Sequence, residues 1–524
     1  MNRAIELEVF RHLLASIAEE MGIVLRKTAF SANIKERRDY SCAVYDSHAQ
    51  TVAMGEHMPV HLGAMPMSVR YAIDEVAPGP GDVVILNDPF RGGTHLPDIT
   101  AVSGVFLNGQ RKPSFYLANR AHHADVGGMA PGSMPMAQEI YQEGLRIPPM
   151  LLVHRGRVRE DILGLILANV RTPAEREGDL LAQLMSLRRG ETRLHSLVER
   201  YGKPALSRNM KRLLDYSELM MRAALTRVPD GEYRFEDCID SDGFTPGPVW
   251  IRVTVRIAGD RALVDFTGTD AQRAGPVNAN LAIVTAATAY VFRCLLDDDV
   301  PFTSGLLRPI EIVAPKGSVV NAEAPAAMAA GNVETSQRIT DVLLGALAQA
   351  LPGRIPAASS GTMNNFSFGG FDSHRSRRFA HYETIAGGMG ASPRAPGHSA
   401  VHTHMTNSWN TPVEALEYQF PMRVTAYSVR RGSGGKGRNR GGDGIIREYE
   451  FLEAARATLL ADRRDRGPWG LQGGEPGQPG RNVRIRPGHR PETVAAKTEF
   501  AVAPGERVRI ETPGGGGWGE ARTG

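Results

Sequence analysis

Three short stretches in the first third of the chain gather side chains that bind divalent metal ions. "ERRDYSCAVYD" offers Asp39 and Asp46, "NDPFRGGTHLPD" offers His95 and Asp98, and "RAHHADVGG" offers His122, His123 and Asp125. Imidazoles mixed with carboxylates suit a borderline ion such as Zn2+, Mn2+ or Fe2+, and the lack of any paired-cysteine knuckle argues against a closed structural zinc site. Two histidines and two carboxylates would leave a coordination position open for water or substrate. His95 and Asp98 flank Leu96-Pro97, so a tight loop could aim both at one point. Each stretch alone has an ordinary reading, because Asp caps turns and helices and a single His is commonly a satisfied surface residue. The metal reading rests on the recurrence of the pattern at three predicted strand ends.

Two further groups carry imidazoles. "MGEHMPVHLG" places His57 and His61 close together, as a general base or as substrate contacts, with solvated loop histidines as the plain alternative. "GGMGASPRAPGHSAVHTHMTNSWNTPVEALE", residues 387–417, holds His402, His404, Asn407 and Glu414 with little apolar periodicity before its end. A long polar loop within a compact chain is either disordered or functional, and these four residues are candidates for substrate binding. His402 and His404 point the same way if the segment is extended.

The elements that must carry these groups are readable from periodicity. Residues 3–28 read as an amphipathic helix, "GDVVILND" as a strand feeding the loop at 87–98, and "PSFYLANRAHH" as a strand ending in the paired histidines. In that loop Gly92-Gly93 is expected to bend the chain and leave room for substrate, with Asp88 supporting a ligand from behind or capping the turn rather than binding the ion itself. Residues 157–227 are helical in period, "VWIRVTVRIAGDRALVDF" reads as a hairpin turning at Gly259-Asp260, and two helices follow in "ANLAIVTAATAYVFRCLL" and "SQRITDVLLGALAQAL". From 440 onward short strands alternate with Gly-rich turns. The fold class is α+β, a multi-domain mixed α/β chain with Gly-rich loops and a β-rich C-terminal region. The division is 1–227 (metal-site domain), 228–425 (central domain with the His-rich loop) and 426–524.

At 524 residues, with 42% hydrophobic and 23% charged residues, the chain is globular and too long for one core. A net charge of +4, from 61 basic against 57 acidic side chains, gives no case for nucleic acid or an anionic membrane. No window approaches the roughly 18 apolar residues of a membrane helix, and the N-terminus carries acidic residues along its length and alternates like an amphipathic helix, unlike a signal peptide. Three isolated cysteines offer no disulfide framework. The expectation is a soluble cytoplasmic protein. "GSGGKG" matches a dinucleotide fingerprint only formally, since no helix follows it, and neither a phosphate-binding P-loop nor a serine nucleophile elbow is present.

Taken together, "NDPFRGGTHLPDITAVSGVF", "ANRAHHADVGG", "GNVETSQRITDVLLGALA", "THMTNSWNTPVEALE", "GRNRGGDGIIREY" and "TPGGGGWGE" resemble the hydantoinase B/oxoprolinase family over nearly the whole chain. The resemblance implies a division of labour. A separate A-type ATPase subunit phosphorylates the carbonyl oxygen of a cyclic amide or ketone, and the B-type chain hydrolyses the activated species or, in the ketone carboxylases, adds a carbon unit. A non-catalytic assembly role is the alternative from a different class. The resemblance also implies metal ligands at Asp39, His95, Asp98 and one of the paired histidines, with His122 preferred, leaving His57, His61 and His123 for proton transfer. Zn or Mn, or else Fe, is the implied ion, and ATP is consumed by the partner in a hetero-oligomer. One departure from the family pattern is Pro396, which stands where many members carry an Asp.

Overall fold

The computed structural model describes residues 3–55, 58–107, 109–296 and 299–521. Its N-terminal third is built on a seven-stranded sheet. The strands are β1 (Tyr40–Tyr45), β2 (Thr51–Gly55), β3 (Val83–Leu86), β4 (Asp98–Val105), β5 (Phe115–His122), β6 (Met150–His154) and β7 (Arg157–Val158), in the order β2-β1-β5-β4-β3-β6-β7. Neighbouring strands run antiparallel throughout.

Both faces of the central strands are buried, their apolar residues with them and also polar ones such as Thr100, Asn119 and Arg120. Alternate residues go to different cores. Cys42, Val44, Leu117 and Ala121 face a layer of long helices, Arg3–Thr28, Pro173–Tyr201 and Lys203–Leu225. Ala43, Tyr45, Val102 and Ala118 face a second core shared with helices Leu281–Arg293 and Ser336–Ala350. That second core also takes the inner face of a four-stranded sheet, which includes the expected hairpin Val249–Ala258 and Arg261–Asp265. The helix expected over 3–28 is Arg3–Thr28, and the strands expected from "GDVVILND" and "PSFYLANRAHH" are β3 and β5.

The remaining strands form a four-stranded and a five-stranded sheet around an aromatic core that includes Phe366, Phe368, Tyr449 and Phe451. Strand Asn365–Asp372 pairs with Ala455–Leu460, so strands on either side of position 425 share one sheet. The class is α+β, a mixed helix and multi-sheet architecture with a β-rich C-terminal region. The glycine run near the C-terminus is a packing device. A Cβ on Gly514, Gly515, Gly516 or Gly517 would sit about 2 Å from the carbonyl oxygens of Ser433, Met389, Trp469 and Lys436 respectively. Backbone bonds such as Gly515 N to Gly442 O at 2.9 Å and Gly516 N to Ala358 O at 2.8 Å fill the space that side chains would take. Gly434 and Gly435 of "GSGGKG" belong to this same packing, and a strand, Gly444–Phe451, follows them.

Candidate metal centre

Strand register decides which histidine of the pair matters. Asp98, at the start of β4, is directly opposite His122, at the end of β5. On the other side of β5, Tyr40 is opposite Ala121, and the His122 N–H donates to the Asp39 carbonyl at 3.0 Å. Asp39, just before β1, His122 at the end of β5 and Asp98 at the start of β4 therefore lie side by side. Residues 98, 102, 118 and 122 share a parity that points to the second core, and His123 has the opposite parity. His123 accordingly turns toward the helix layer, where its Nε2 meets Gln183 Oε1 at 3.0 Å. Burial there, with Arg176 nearby, lowers its pKa to about 4. The structure does not bring it into the group that His122 joins.

A compact group forms around Asp98. Its Oδ1 is 3.1 Å from His95 Nε2 and 3.1 Å from His122 Nδ1, and its Oδ2 is 3.5 Å from His61 Nε2. Thr94 Oγ1 donates to Oδ2 at 2.7 Å. His95, Asp98 and His122 are buried and offer one ligand atom each, all within 4.8 Å of one another. Burial alone would raise the Asp98 pKa, but the surrounding imidazoles of His95, His122 and His61 outweigh it and hold the carboxyl well below its ordinary range. Burial lowers the His122 pKa, only partly opposed by its hydrogen bond to Asp98 and the charge of Asp39. An ionised carboxylate beside neutral imidazole is the donor set of a borderline divalent ion. The buried Nε2 atoms of His61 and His122 and the Oδ1 of Asn332 have no hydrogen-bond partner, so the group fits an ion better than a closed hydrogen-bond network.

Asp39 stands next to this group rather than inside it, with its Oδ2 3.7 Å from Arg37 Nη2. His61, anticipated as a proton-transfer group, is drawn into direct contact with Asp98, its Nδ1 held 2.9 Å from Ser41 Oγ. His57 lies outside the described residues. His402, His404 and Asn407 line a cavity of about 440 Å³ together with Pro59, Tyr290 and Cys294. Burial lowers both histidine pKa values to about 4, and their buried Nε2 atoms lack partners. Glu414 is exposed on helix Val413–Gln419 and is not part of that cavity wall.

The loop before Asp98 departs from expectation in one respect. Gly92 takes φ +81° at the bend, and Asp88 caps the turn by accepting from Phe90 N at 3.0 Å. The space beside the glycines does not receive substrate, however. A Cβ on Gly93 would lie 2.4 Å from Asn87 O, and one on Gly92 2.7 Å from the Met67 carbonyl carbon.

A family model described as hydantoinase B/oxoprolinase matches residues 3–521. The chain belongs to the hydantoinase B/oxoprolinase family. It is 38% identical to 5-oxoprolinase 1 of Arabidopsis thaliana over 98% of this chain, yet spans only 41–42% of the length of such plant and yeast oxoprolinases. It is 31% identical to a protein of Pseudomonas sp. (strain NS671) assigned as the B-type subunit of a D-/L-hydantoinase, covering 98% of this chain and 90% of that one. The crystal structure of ATP-dependent caprolactamase from Pseudomonas jessenii superposes with a TM-score of 0.91 at 29% identity, covering 99% of this chain and 91% of that chain.

In this member of the hydantoinase B/oxoprolinase family, several residues at the centre escape a reading of the sequence alone. Asn332 Nδ2 lies 3.1 Å from His95 Nε2 and 3.4 Å from Asp98 Oδ2. Tyr382 stacks on His122 with ring centroids 4.6 Å apart and donates to Asn365 Oδ1, while Asn365 donates to Glu334 Oε1. Burial and the charge of Asp462 push Glu334 up to about 7. Asn332 and Glu334 sit on a π-turn, Gly331–Thr335, a wide turn often found at functional sites. The polar run "GNVETSQ" ahead of an apolar helix is the available signal.

Proposed function

We propose that this chain is the B-type, metal-binding subunit of an ATP-dependent hydrolase of cyclic amides such as hydantoins, lactams or 5-oxoproline, working in the cytoplasm. The buried His95–Asp98–His122 group, in a chain matched by the family model from end to end, carries the reading. A separate A-type ATPase subunit would phosphorylate the carbonyl oxygen, making a hetero-oligomer in which ATP is used only by the partner. The 31% identity over 98% of this chain to a Pseudomonas protein assigned as the B-type subunit of a D-/L-hydantoinase supports a partner of the A type.

His95, Asp98 and His122 would hold a Zn or Mn ion, or else Fe, with Asp39, just before β1 and with its carbonyl accepting from His122 N, as the candidate fourth ligand. When bound, such an ion supplies Lewis acidity toward the carbonyl and acidifies water at the site. The chain's own groups do the rest. Thr94 and Asn332 fix the Asp98 carboxylate, and Ser41 holds His61 so that its Nε2 faces the centre, free to take a proton from attacking water and return it to the nitrogen released when the ring C–N bond breaks; the acyl phosphate this leaves is cleaved by a second water to carboxylate and inorganic phosphate. The cavity lined by His402, His404 and Asn407 includes Pro59 of the same short turn that carries His61, which supports it as the substrate's approach. Exposed Glu414 has no place in this reading.

The test combines the purified chain with an A-type partner, ATP, Mn2+ or Zn2+ and a panel of hydantoins and lactams. Ring opening is expected only with both subunits, and His95→Ala should abolish it while leaving the partner's ATPase intact. Carboxylation of a ketone by the wild-type pair, or ring opening unaffected by His95→Ala, would refute the reading, and a chain that purifies and titrates without stoichiometric metal would indicate an assembly role.

A further inference from the structure

We propose that Glu143 is a positioning residue that fixes the orientation of His95. This inference rests on the metal-centre reading. Glu143 ends the short helix Ile140–Glu143 and is fully buried. Its Oε1 accepts two consecutive backbone N–H groups, from Met328 at 2.6 Å and from Ala329 at 2.8 Å. The Ala329 carbonyl in turn lies 3.3 Å from His95 Nδ1. Two residues on, the same backbone enters the π-turn that carries Asn332, whose amide faces His95 Nε2 and Asp98 Oδ2.

One carboxyl oxygen therefore holds the segment that meets both edges of the His95 ring. Met328, Ala329 and Ala330 are buried, so their N–H groups cannot fall back on water. With the Ala329 carbonyl fixed, Nδ1 of His95 must be the protonated nitrogen, because a carbonyl can only accept. Nε2 then keeps its lone pair toward Asp98 and His122, which is the tautomer a metal ligand requires. Removing the Glu143 acceptor would free residues 328–332, loosening that carbonyl and the Asn332 amide together. The other carboxyl oxygen, Oε2, has no partner, so an amide that keeps one oxygen can replace the acid here.

The experiment titrates Mn2+ and Zn2+ separately into wild type, Glu143→Ala and Glu143→Gln by calorimetry, with circular dichroism confirming the fold of each. Partners of a ligating histidine typically change metal affinity by about 10- to 100-fold, so Glu143→Ala should bind about 10- to 100-fold more weakly. Glu143→Gln, which retains the acceptor, should stay close to wild type, a rescue that a merely space-filling role does not predict. Should Glu143→Ala not fold, Glu143→Asp, which draws the acceptor back by one carbon–carbon bond, should show the same loss. Wild-type affinity in the folded Ala or Asp variant, or a Gln variant as weak as Ala, overturns the inference while leaving the metal centre standing. A wild-type chain that binds neither ion overturns the metal centre, and this inference falls with it.

Discussion

His122→Leu and His123→Leu alter adjacent residues of one strand end, and the sheet parity sends their consequences in opposite directions. His122 contributes Nδ1 to the Asp98 group, 3.1 Å from Oδ1. Groups that merely support a metal-ligating histidine change affinity by about 10- to 100-fold, so loss of a ligand should exceed about 100-fold, or ~3 kcal/mol. His123 instead donates to Gln183 Oε1, and Gln183 donates its amide to Ile99 O and Asn119 Oδ1. His123→Leu leaves that buried Gln183 oxygen without a donor, at a cost of about 1–3 kcal/mol of folding stability. Mn2+ or Zn2+ titration together with urea unfolding of the metal-free proteins separates the two. His122→Leu should lose the ion and His123→Leu should keep wild-type affinity while unfolding at lower urea. If His123→Leu strips the ion as completely as His122→Leu, the assignment of faces is wrong.

Glu143 also sets a pH dependence. Burial pushes its pKa from 4.5 up to about 8, so the folded state keeps a proton that the unfolded chain has released. The associated stability is present below about pH 4.5 and lost as pH rises toward 8, on the order of 5 kcal/mol at roughly 1.4 kcal/mol per unit. Urea unfolding of wild type and Glu143→Gln at pH 5, 6.5 and 8 should converge at the acid end and separate at the alkaline end, and parallel profiles would contradict this. Gly93→Ala should destabilise the protein by about 1–3 kcal/mol, because its Cβ meets the Asn87 and Asp88 carbonyls rather than open space. A variant with unchanged melting temperature and impaired substrate binding would instead restore the idea that the glycines make room for a ligand.

What is legible in the sequence follows from local period. The long N-terminal helix, the strands that end at His122 and begin at Asp98, and the hairpin at Gly259-Asp260 all have patterns written within a few residues. The right residue types also stand out in "THLPD" and "RAHH". The choice between His122 and His123 is not in the composition of the pair, which is symmetric. It lies in the pairing of β5 with β4 and in which core lies beneath each face, both long-range properties. The same limit explains Asn332, which is brought more than two hundred positions along the chain to touch His95.

The Gly-rich segments mark a different limit. Taken locally, a glycine means freedom to turn, and at Gly92, with φ +81°, that is its use. At Gly93 and along Gly514–Gly517 its use is the absence of a Cβ where another backbone passes within about 2–2.4 Å of where one would stand. That requirement is set by the partner segment and cannot be seen from the glycine's own neighbours. It matters to the centre as well. The loop 87–98 is tied by Asn280, whose amide donates to Pro89 O at 2.7 Å and Gly93 O at 2.9 Å, so Asn280, at the start of helix Leu281–Arg293, holds the loop that delivers His95 and Asp98. His95 and Asp98 are thus fixed from both sides, by the register of β4 on β5 and by the second core's grip on their loop.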